Sequence, residues 1–262
     1  LRTVNALALI IRRFELPGMP PDPMQELKIC EEELIFSDLA ICEKRLETIE
    51  KDKKRGVKSA EIENEEKVLE KCSDCLNENK PLRTLDLTER ELKLIWGYQF
   101  LTLKHAFVII NTDEEHYTHN QVIINEIGER YGVVEIAGSL EMELQQLNAP
   151  EREKFMQEFG ITHSAVEKLT QMSYKALGLI SFFTIGKNEV RAWALPKGST
   201  ALDAANAIHT DIAKGFVRAE RYTFDDFKKY VSEKNLKSAG KFYIEGKDYI
   251  VQDGDILYIL HS

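Results

Sequence analysis

Two short apolar runs, each ending in a polar loop that leads into a helical pattern, constrain the fold of this chain more than any other feature. The first covers 105–110 and ends at 111–115, and the second covers 133–136 and ends at 137–139. Strand, loop and helix repeated in this order predict a parallel α/β sheet. Ligands of such sheets bind beyond the carboxyl ends of the strands. We therefore expect a site where 111–115 and 137–139 come together.

Two further signals belong to the same α/β part of the chain. An apolar run at 4–11 predicts another buried strand, and the Pro- and Gly-rich stretch 17–23 predicts a loop after it. Farther along, Thr88 and Glu91 have the spacing of a capping box. We expect a helix from there to about Phe100.

The stretch 24–80 has the apolar spacing of two packed helices. The pattern stops at the lysine-rich segment around Gly56 and resumes between Ile62 and Leu76. Two helices of similar length joined by a short turn predict an antiparallel hairpin that projects as an arm. The residues of the first helix that recur at intervals of 4, 3, 4 and 3 are Ile35, Leu39, Cys42, Leu46 and Ile49.

The turn of this hairpin is rich in basic residues. A projecting basic tip is a candidate contact for RNA phosphates or for another partner. The alternative interpretation is a solvated helix end that has no partner. The residues concerned are Lys51, Lys53, Lys54, Arg55 and Lys58.

The last part of the chain, 178–262, has a different pattern. Two strands are predicted within 179–195, followed by one helix over about 200–213. In the tail 241–260 the sequence alternates as short strands do, and Asp253-Gly254 is typical of a hairpin turn. This order of elements predicts a small α+β module with a mixed sheet.

The composition excludes several classes of protein. With 35 Lys and Arg against 44 Asp and Glu, the formal charge is −9, which argues against a DNA coat or a basic membrane-surface protein. No apolar stretch reaches the length of about 20 residues that spans a bilayer, and the signature of a signal peptide is lacking. We expect a cytoplasmic protein with free thiols and with neither a membrane partner nor a specific DNA partner.

The cysteines and histidines offer only weak metal or redox signals. Cys72-Ser73-Asp74-Cys75 has CxxC spacing, but no second pair of ligands accompanies it. The same spacing suits one face of a helix, where cysteine packs as a small apolar residue. A metal or thiol-redox protein is therefore a remote interpretation, and we expect His116 and His119 to be solvated loop residues.

The sequence contains no phosphate-binding loop. A P-loop has the pattern G-x-x-x-x-G-K-[ST], because its backbone N–H groups surround the phosphates while Lys and a hydroxyl contact the outer phosphate and magnesium. No Gly-Lys pair of this chain has the required Ser or Thr after it or the required Gly before it. These pairs are Gly186-Lys187, Gly240-Lys241 and Gly246-Lys247.

The polar stretch Asn111-Thr112-Asp113-Glu114 lies where an α/β nucleotide-binding domain would read the base. An Asn side chain can donate to and accept from a purine at the same time, and a nearby acid or backbone group can select the exocyclic group. The alternative interpretation is an ordinary polar loop that caps the next helix, because four-residue matches are common.

The C-terminal third carries a dense series of motifs in a fixed order. The motifs include Glu189-Val190-Arg191-Ala192-Trp193, His209-Thr210-Asp211, Lys214-Gly215-Phe216-Val217-Arg218-Ala219 and Glu245-Gly246-Lys247-Asp248-Tyr249-Ile250-Val251-Gln252-Asp253-Gly254-Asp255. With these motifs the chain resembles the YchF/Obg-like ATPases, a family of Obg-related translation-factor GTPases, and the resemblance extends over nearly the whole chain.

The resemblance implies three parts. Residues 1–23 and 81–177 would form a partial P-loop-type α/β nucleotide-binding domain, into which 24–80 is inserted as an antiparallel helical coiled-coil arm. Residues 178–262 would form an α+β ubiquitin-like (β-grasp) TGS domain. The family's phosphate loop and switch segments would precede Leu1, so no catalytic residue is assigned. The chain is then either a fragment of a full-length ATPase or a shortened relative.

The resemblance also implies a site and a function. Asn111 would pair with adenine, Thr112 would offer its backbone, and Glu114 would stand where a guanine-selecting Asp usually does. The base would be flanked by the small residues Ala137, Gly138 and Ser139. In its full-length form the protein would bind and hydrolyse ATP, or GTP, with magnesium and would associate with the ribosome or ribosomal RNA. The alternative is a non-catalytic module that binds ribosome, RNA or protein without nucleotide hydrolysis.

Overall fold

In the computed structural model, the described residues are 1–57, 59–186 and 189–262. The chain divides into two units, Leu1–Ala176 and Leu177–Ser262, hereafter the first and the second unit. None of the described helices combines the length and the apolar character needed to cross a bilayer.

The three apolar runs of the first unit form one sheet. β1 (Ala6–Arg13), β2 (His105–Thr112) and β3 (Gly132–Ala137) lie in the order β1-β2-β3, and both pairings are parallel. The middle strand β2 is buried along most of its length, which fits its continuous apolar run, whereas the edge strand β1 alternates between buried and exposed residues. The predicted parallel sheet is confirmed. Its fully buried residues include Ile11, Val108 and Ile110.

Two helices form the predicted hairpin, but they differ in length. α1 (Pro23–Lys54) has 32 residues and α2 (Ala60–Asn77) has 18. The first turns of α1 pack on the sheet, where Leu27 is buried, and only its later turns pack against α2. The expectation of similar lengths is therefore wrong. The core that the two helices share includes Ile35, Cys42, Ile49, Leu69, Cys72 and Leu76.

The helix after the capping box is shorter than predicted. α3 (Glu89–Ile95) starts with the expected box, and a single 3₁₀ turn follows at Trp96–Tyr98. Gln99 then adopts a left-handed backbone with φ 51°. The N–H groups of Leu101 and Thr102 donate to the buried carboxylate of Asp38 instead of continuing the helix. The other helices of this unit are α4 (Gln121–Gly128), α5 (Gly138–Leu144), α6 (Ala149–Glu158) and α7 (Ala165–Ala176).

The second unit contains a mixed sheet, as predicted. The helix expected over 200–213 is divided at His209, whose extended backbone ends one helix and begins the next. The elements are β4 (Leu179–Ile185), β5 (Val190–Pro196), α8 (Ala201–Ile208), α9 (Thr210–Lys214), β6 (Phe216–Thr223), α10 (Phe224–Tyr230), α11 (Glu233–Ser238), β7 (Tyr243–Glu245) and β8 (Asp255–His261). The strand order is β5-β4-β8-β6-β7, with β4 and β8 parallel and the other pairs antiparallel.

The predicted hairpin at Asp253-Gly254 is wrong, because β7 and β8 lie on opposite sides of β6. The Ser181 N–H donates to the Asp253 carboxylate at 2.7 Å, and the Gly254 N–H donates to the Ser181 carbonyl at 2.8 Å. These bonds attach the turn to β4. Ile250, which we expected in a strand, forms an isolated bridge with Thr200.

Candidate functional site

The candidate base-reading residue Asn111 lies at the carboxyl edge of the parallel sheet. Asn111 and Thr112 are the last two residues of β2, opposite Ile136 and Ala137 of β3. The Asn111 Oδ1 accepts the N–H of Gly138 at 3.2 Å. Among the described residues, the Nδ2 hydrogens of Asn111 have no protein partner. The amide therefore has its Nδ2 hydrogens available to donate to a ligand.

The backbone at Gly138 approaches Asn111 so closely that a side chain there would crowd the Asn111 amide. A Cβ atom there would lie 3.0 Å from the Asn111 Oδ1 and 3.6 Å from its Nδ2. The amide would have to move to relieve this contact. The lack of a side chain at Gly138, the first residue of α5, therefore leaves room for the Asn111 amide beside it.

Asn111 lines an open cleft of about 910 Å³ at this edge of the sheet. Four of the six predicted base-site residues line this cleft, namely Asn111, Thr112, Gly138 and Ser139. The other two do not, because Ala137 is buried in the core beside Leu140 and Glu114 is exposed away from the cleft lining.

The cleft also contains residues that the sequence-based prediction did not include. Phe14 and Glu15 follow the carboxyl end of β1, so the strand-edge rule applied to all three strands would have found them. Asp113 and Glu115 lie within 111–115, where we expected a site, although no role in base recognition was assigned to them, whereas no motif indicated His116 or Met142. The additional lining residues are Phe14, Glu15, Asp113, Glu115, His116 and Met142.

A buried amide holds the loop between β2 and α4. Asn120 is 3% exposed, and its Nδ2 donates to the Glu135 carboxylate at 2.6 Å and to the His116 carbonyl at 2.8 Å. Its Oδ1 accepts from the Arg13 Nε at 3.2 Å. Because Arg13 ends β1 and Glu135 belongs to β3, this side chain ties the loop to both outer strands. Sequence reasoning missed it.

The same loop contains a hydrogen-bonded pair, Asp113 and His116. The Asp113 Oδ1 accepts the backbone N–H of His116 at 2.9 Å and lies 2.7 Å from its Nδ1. Partial burial favours a higher pKa for Asp113, but these hydrogen bonds outweigh it and the pKa is lowered overall. His116 is thus held in place at the cleft while 36% of its side chain stays exposed, and His119 is exposed, so both are loop residues in contact with solvent, as we expected.

The described basic residues of the hairpin turn are paired with acidic neighbours. Exposed pairs contribute little to stability, but they compensate the positive charge that an RNA contact requires. Lys58 lies outside the described residues. The pairs are Lys51–Glu47, Lys53–Glu66, Lys54–Glu50 and Arg55–Asp52.

The cysteines of the CxxC pair are buried in the hairpin core. Cys72 has no exposed surface, Cys75 is nearly buried, and Cys42 of α1 lies in the same core. Burial raises the pKa of Cys42 and that of Cys72 to about 12, because a thiolate is disfavoured away from water. The spacing of these cysteines serves the packing of one face of α2.

The cysteines of the folded protein are expected to differ in their rates of alkylation. Iodoacetamide should modify Cys30 first, because its side chain is partly exposed, although burial and nearby glutamates raise its pKa. Cys42 and Cys72 should react only after unfolding in urea. Mass spectrometry of peptides after timed labelling measures both rates. Equal rates for Cys30 and Cys72 in the folded protein would contradict the packing.

Comparison with known proteins assigns the chain to a family. The family model YchF-GTPase_C, described as "Protein of unknown function (DUF933)", matches residues 179–262. The ribosome-binding ATPase YchF of Escherichia coli O157:H7 is 38% identical over 100% of this chain and 74% of its own length. The chain belongs to the YchF family.

Other YchF proteins show a similar extent of likeness. The ribosome-binding ATPase YchF of Bacillus subtilis (strain 168) is 33% identical over 98% of this chain and 73% of its own length. The Schizosaccharomyces pombe YchF GTPase structure superposes with a TM-score of 0.84 at 29% identity, covering 99% of this chain and 73% of that chain. The predicted family and the mixed α/β architecture are confirmed.

Proposed function

We propose that this chain carries the base-recognition part of a nucleotide site, for ATP or for GTP, in a YchF protein. The position of Asn111 supports this most directly. Its oxygen is held by Gly138, and its amide donor lines a cleft of about 910 Å³, a volume within the range of small-molecule sites. The purine N7 is a fitting acceptor for that donor, and both adenine and guanine carry it.

The phosphates of the nucleotide would be bound away from these cleft walls. Three carboxylates line the cleft, those of Glu15, Asp113 and Glu115, and they would repel a triphosphate. Magnesium is bound in such sites largely through phosphate oxygens. We assign neither a magnesium ligand nor a hydrolytic residue to the described part of the chain.

The proposal extends to the organisation of the chain and to its partner. Residues 1–23 and 81–177 would form the partial nucleotide-binding domain, 24–80 the coiled-coil arm and 178–262 the β-grasp TGS domain. The arm or the TGS domain would contact the ribosome in the cytoplasm, since the relatives in Escherichia coli and Bacillus subtilis are named ribosome-binding ATPases. The compensated charge of the hairpin turn makes it the less suitable surface for RNA.

A second candidate function is a module that binds ribosome, RNA or protein without using nucleotide. The observation that favours it is the carboxylate lining of the cleft, since Glu15, Asp113 and Glu115 would repel a triphosphate. Reading the encoding frame upstream of Leu1 separates the two. A G-x-x-x-x-G-K-[ST] motif there would favour the ATPase, and a stop codon or unrelated sequence would favour the module.

Nucleotide titration tests the base site directly. We expect ATP to bind with a Kd of about 1 mM, because the given sequence contains no phosphate-binding loop, and to shift the NMR signals of Asn111, Gly138 and Ser139. Asn111→Ala should weaken binding by about tenfold, since losing one hydrogen bond costs about 1–1.5 kcal/mol. Asn125→Ala, at an exposed position of α4, is the matched control and should bind ATP like the unaltered protein.

Gly138→Ala provides an independent check, because the added methyl group would displace the Asn111 amide. It should weaken ATP binding about as much as Asn111→Ala does. Micromolar binding by the unaltered chain would contradict the lack of phosphate contacts. Titration with no shift at Asn111 or Gly138 would favour the nucleotide-free module.

A further inference from the structure

His116 is held more firmly than an exposed loop residue needs to be. Its backbone N–H donates to the Asp113 carboxylate at 2.9 Å, and its Nδ1 lies 2.7 Å from the same oxygen. Its carbonyl accepts from the Asn120 Nδ2 at 2.8 Å. These contacts fix both the backbone and the ring of a residue that lines the same cleft as Asn111.

The contact with Asp113 decides which nitrogen of the ring carries hydrogen. A carboxylate only accepts hydrogen bonds, so the Nδ1 of His116 must be the donor. In the neutral imidazole the Nε2 is then an acceptor. Within the described ranges the Nε2 has no protein partner. The residues that line the cleft therefore include a free donor on Asn111 and, on His116, an acceptor nitrogen in a ring that Asp113 holds.

We propose that the His116 Nε2 accepts a hydrogen bond from the 6-amino group of adenine and so selects adenine nucleotides over 6-oxopurines. One edge of adenine presents the N7 acceptor and the 6-amino donor side by side. The Asn111 Nδ2 and the His116 Nε2 are the complementary pair. A 6-oxopurine presents two acceptors on that edge, and its oxygen would oppose the lone pair of the Nε2.

This inference rests on the proposed nucleotide function and names the base that the cleft selects. A preference for 6-oxopurines would need a different contact in the cleft. The exposed carboxylate of Glu115 could provide it by accepting from the N1–H of a 6-oxopurine. The structure favours recognition by His116 over recognition by Glu115, because three hydrogen bonds hold His116 in place. A side chain that is fixed before binding loses little conformational entropy on binding.

Adenosine and inosine test the inference, because they share the ribose and N7 and differ at the 6-position. Each is titrated into the full chain at about pH 8, above the ordinary pKa of histidine, while the NMR signals of Asn111 and Gly138 are followed. We expect adenosine to bind about tenfold more tightly than inosine, the effect of about 1.4 kcal/mol. His116→Ala should reduce this ratio to about one, and the control His119→Ala should keep it.

The outcomes separate this inference from the proposed function. An unchanged ratio in His116→Ala, with both nucleosides still shifting the Asn111 signal, overturns the role of His116 and leaves the base site standing. Tighter binding of inosine by the unaltered chain also overturns it. If neither nucleoside shifts Asn111 or Gly138, the base site fails and the inference with it. Should His116→Ala not fold, His116→Phe retains a ring, removes the acceptor and is expected to give the same ratio of about one.

Discussion

Replacing Asp38 by alanine is expected to destabilise the first unit by about 3–5 kcal/mol. Asp38 lies in the middle of α1 and has no exposed surface. One buried anion joins the helical hairpin to the turn before β2 and to the start of the chain. Its carboxylate accepts four hydrogen bonds, from the Arg2 Nη1 at 2.9 Å, the Leu101 N–H at 3.0 Å, the Thr102 N–H at 2.7 Å and the Thr102 hydroxyl at 2.9 Å.

The size of this effect follows from what alanine leaves behind. The N–H groups of Leu101 and Thr102 would remain buried without an acceptor, and each unsatisfied donor costs about 1–3 kcal/mol. The guanidinium of Arg2 would lose its anion as well. Asp38→Asn keeps one acceptor oxygen but sets a new N–H₂ donor against the existing donors, so an intermediate loss is expected.

Urea unfolding followed by far-UV circular dichroism measures the change, because the long helices α1 and α2 contribute strongly to that signal. Asp74→Ala is the matched control, since Asp74 is an exposed aspartate on α2. Its unfolding free energy should stay within about 0.5 kcal/mol of the unaltered value. A loss below about 1 kcal/mol in Asp38→Ala would contradict the hydrogen-bonded burial of this carboxylate.

The sequence predicts elements with strong periodicity and fails where a distant residue intervenes. The spacing of the residues from Ile35 to Ile49 predicts their burial, because helical periodicity records which face is covered. The early end of α3 cannot be predicted from the neighbouring residues, because the N–H groups after it donate to Asp38, which lies on another helix. In the same way Asp253-Gly254 has a hairpin sequence, but the partner of Asp253 is Ser181, 72 residues away.

The residues of the candidate site also differ in how far the sequence predicts them. The placement of Asn111 and Gly138 follows from a general rule, because the carboxyl ends of parallel strands meet at one edge. The same rule marked the whole stretch 111–115, but it does not say which of these side chains face the cleft. Asp113 and Glu115 line the cleft together with His116, whereas the exposed Glu114 does not. A buried amide such as Asn120 leaves no local pattern, since two of its partners lie on other strands.

In the second unit, replacing Asp255 by alanine is also expected to cost about 3–5 kcal/mol of unfolding free energy. Asp255 begins β8 and has no exposed surface. Its carboxylate accepts from the Tyr249 hydroxyl at 2.8 Å, the Gln252 N–H at 2.9 Å and the Arg221 Nη1 at 3.4 Å. Arg221 in turn lies over the rings of Tyr243 and Tyr249, so alanine would disturb a connected cluster.

Tryptophan fluorescence isolates this unit, because the two tryptophans of the chain are Trp96 in the first unit and Trp193 in the second. In a Trp96→Phe background the signal reports on Trp193 alone during urea unfolding. Asp248→Ala, at an exposed position before Tyr249, is the control and should change the unfolding free energy by less than about 0.5 kcal/mol. An unchanged midpoint in Asp255→Ala would overturn the role assigned to this carboxylate.

The same carboxylate predicts how this unit responds to alkaline pH. Burial, together with the hydrogen bond to Asp255, raises the pKa of Tyr249 above the ordinary value of about 10. The protonated phenol is therefore favoured in the folded state. Its contribution to stability is fully present below about pH 10 and is lost as the pH rises through the raised pKa.

In Asp255→Ala the hydrogen bond and the negative neighbour are absent, so the loss of stability at alkaline pH should be smaller than in the unaltered protein. Tyrosine absorbance titration, with Tyr249→Phe to identify the signal, measures the pKa directly, and an unchanged pKa in Asp255→Ala would overturn the contribution of Asp255.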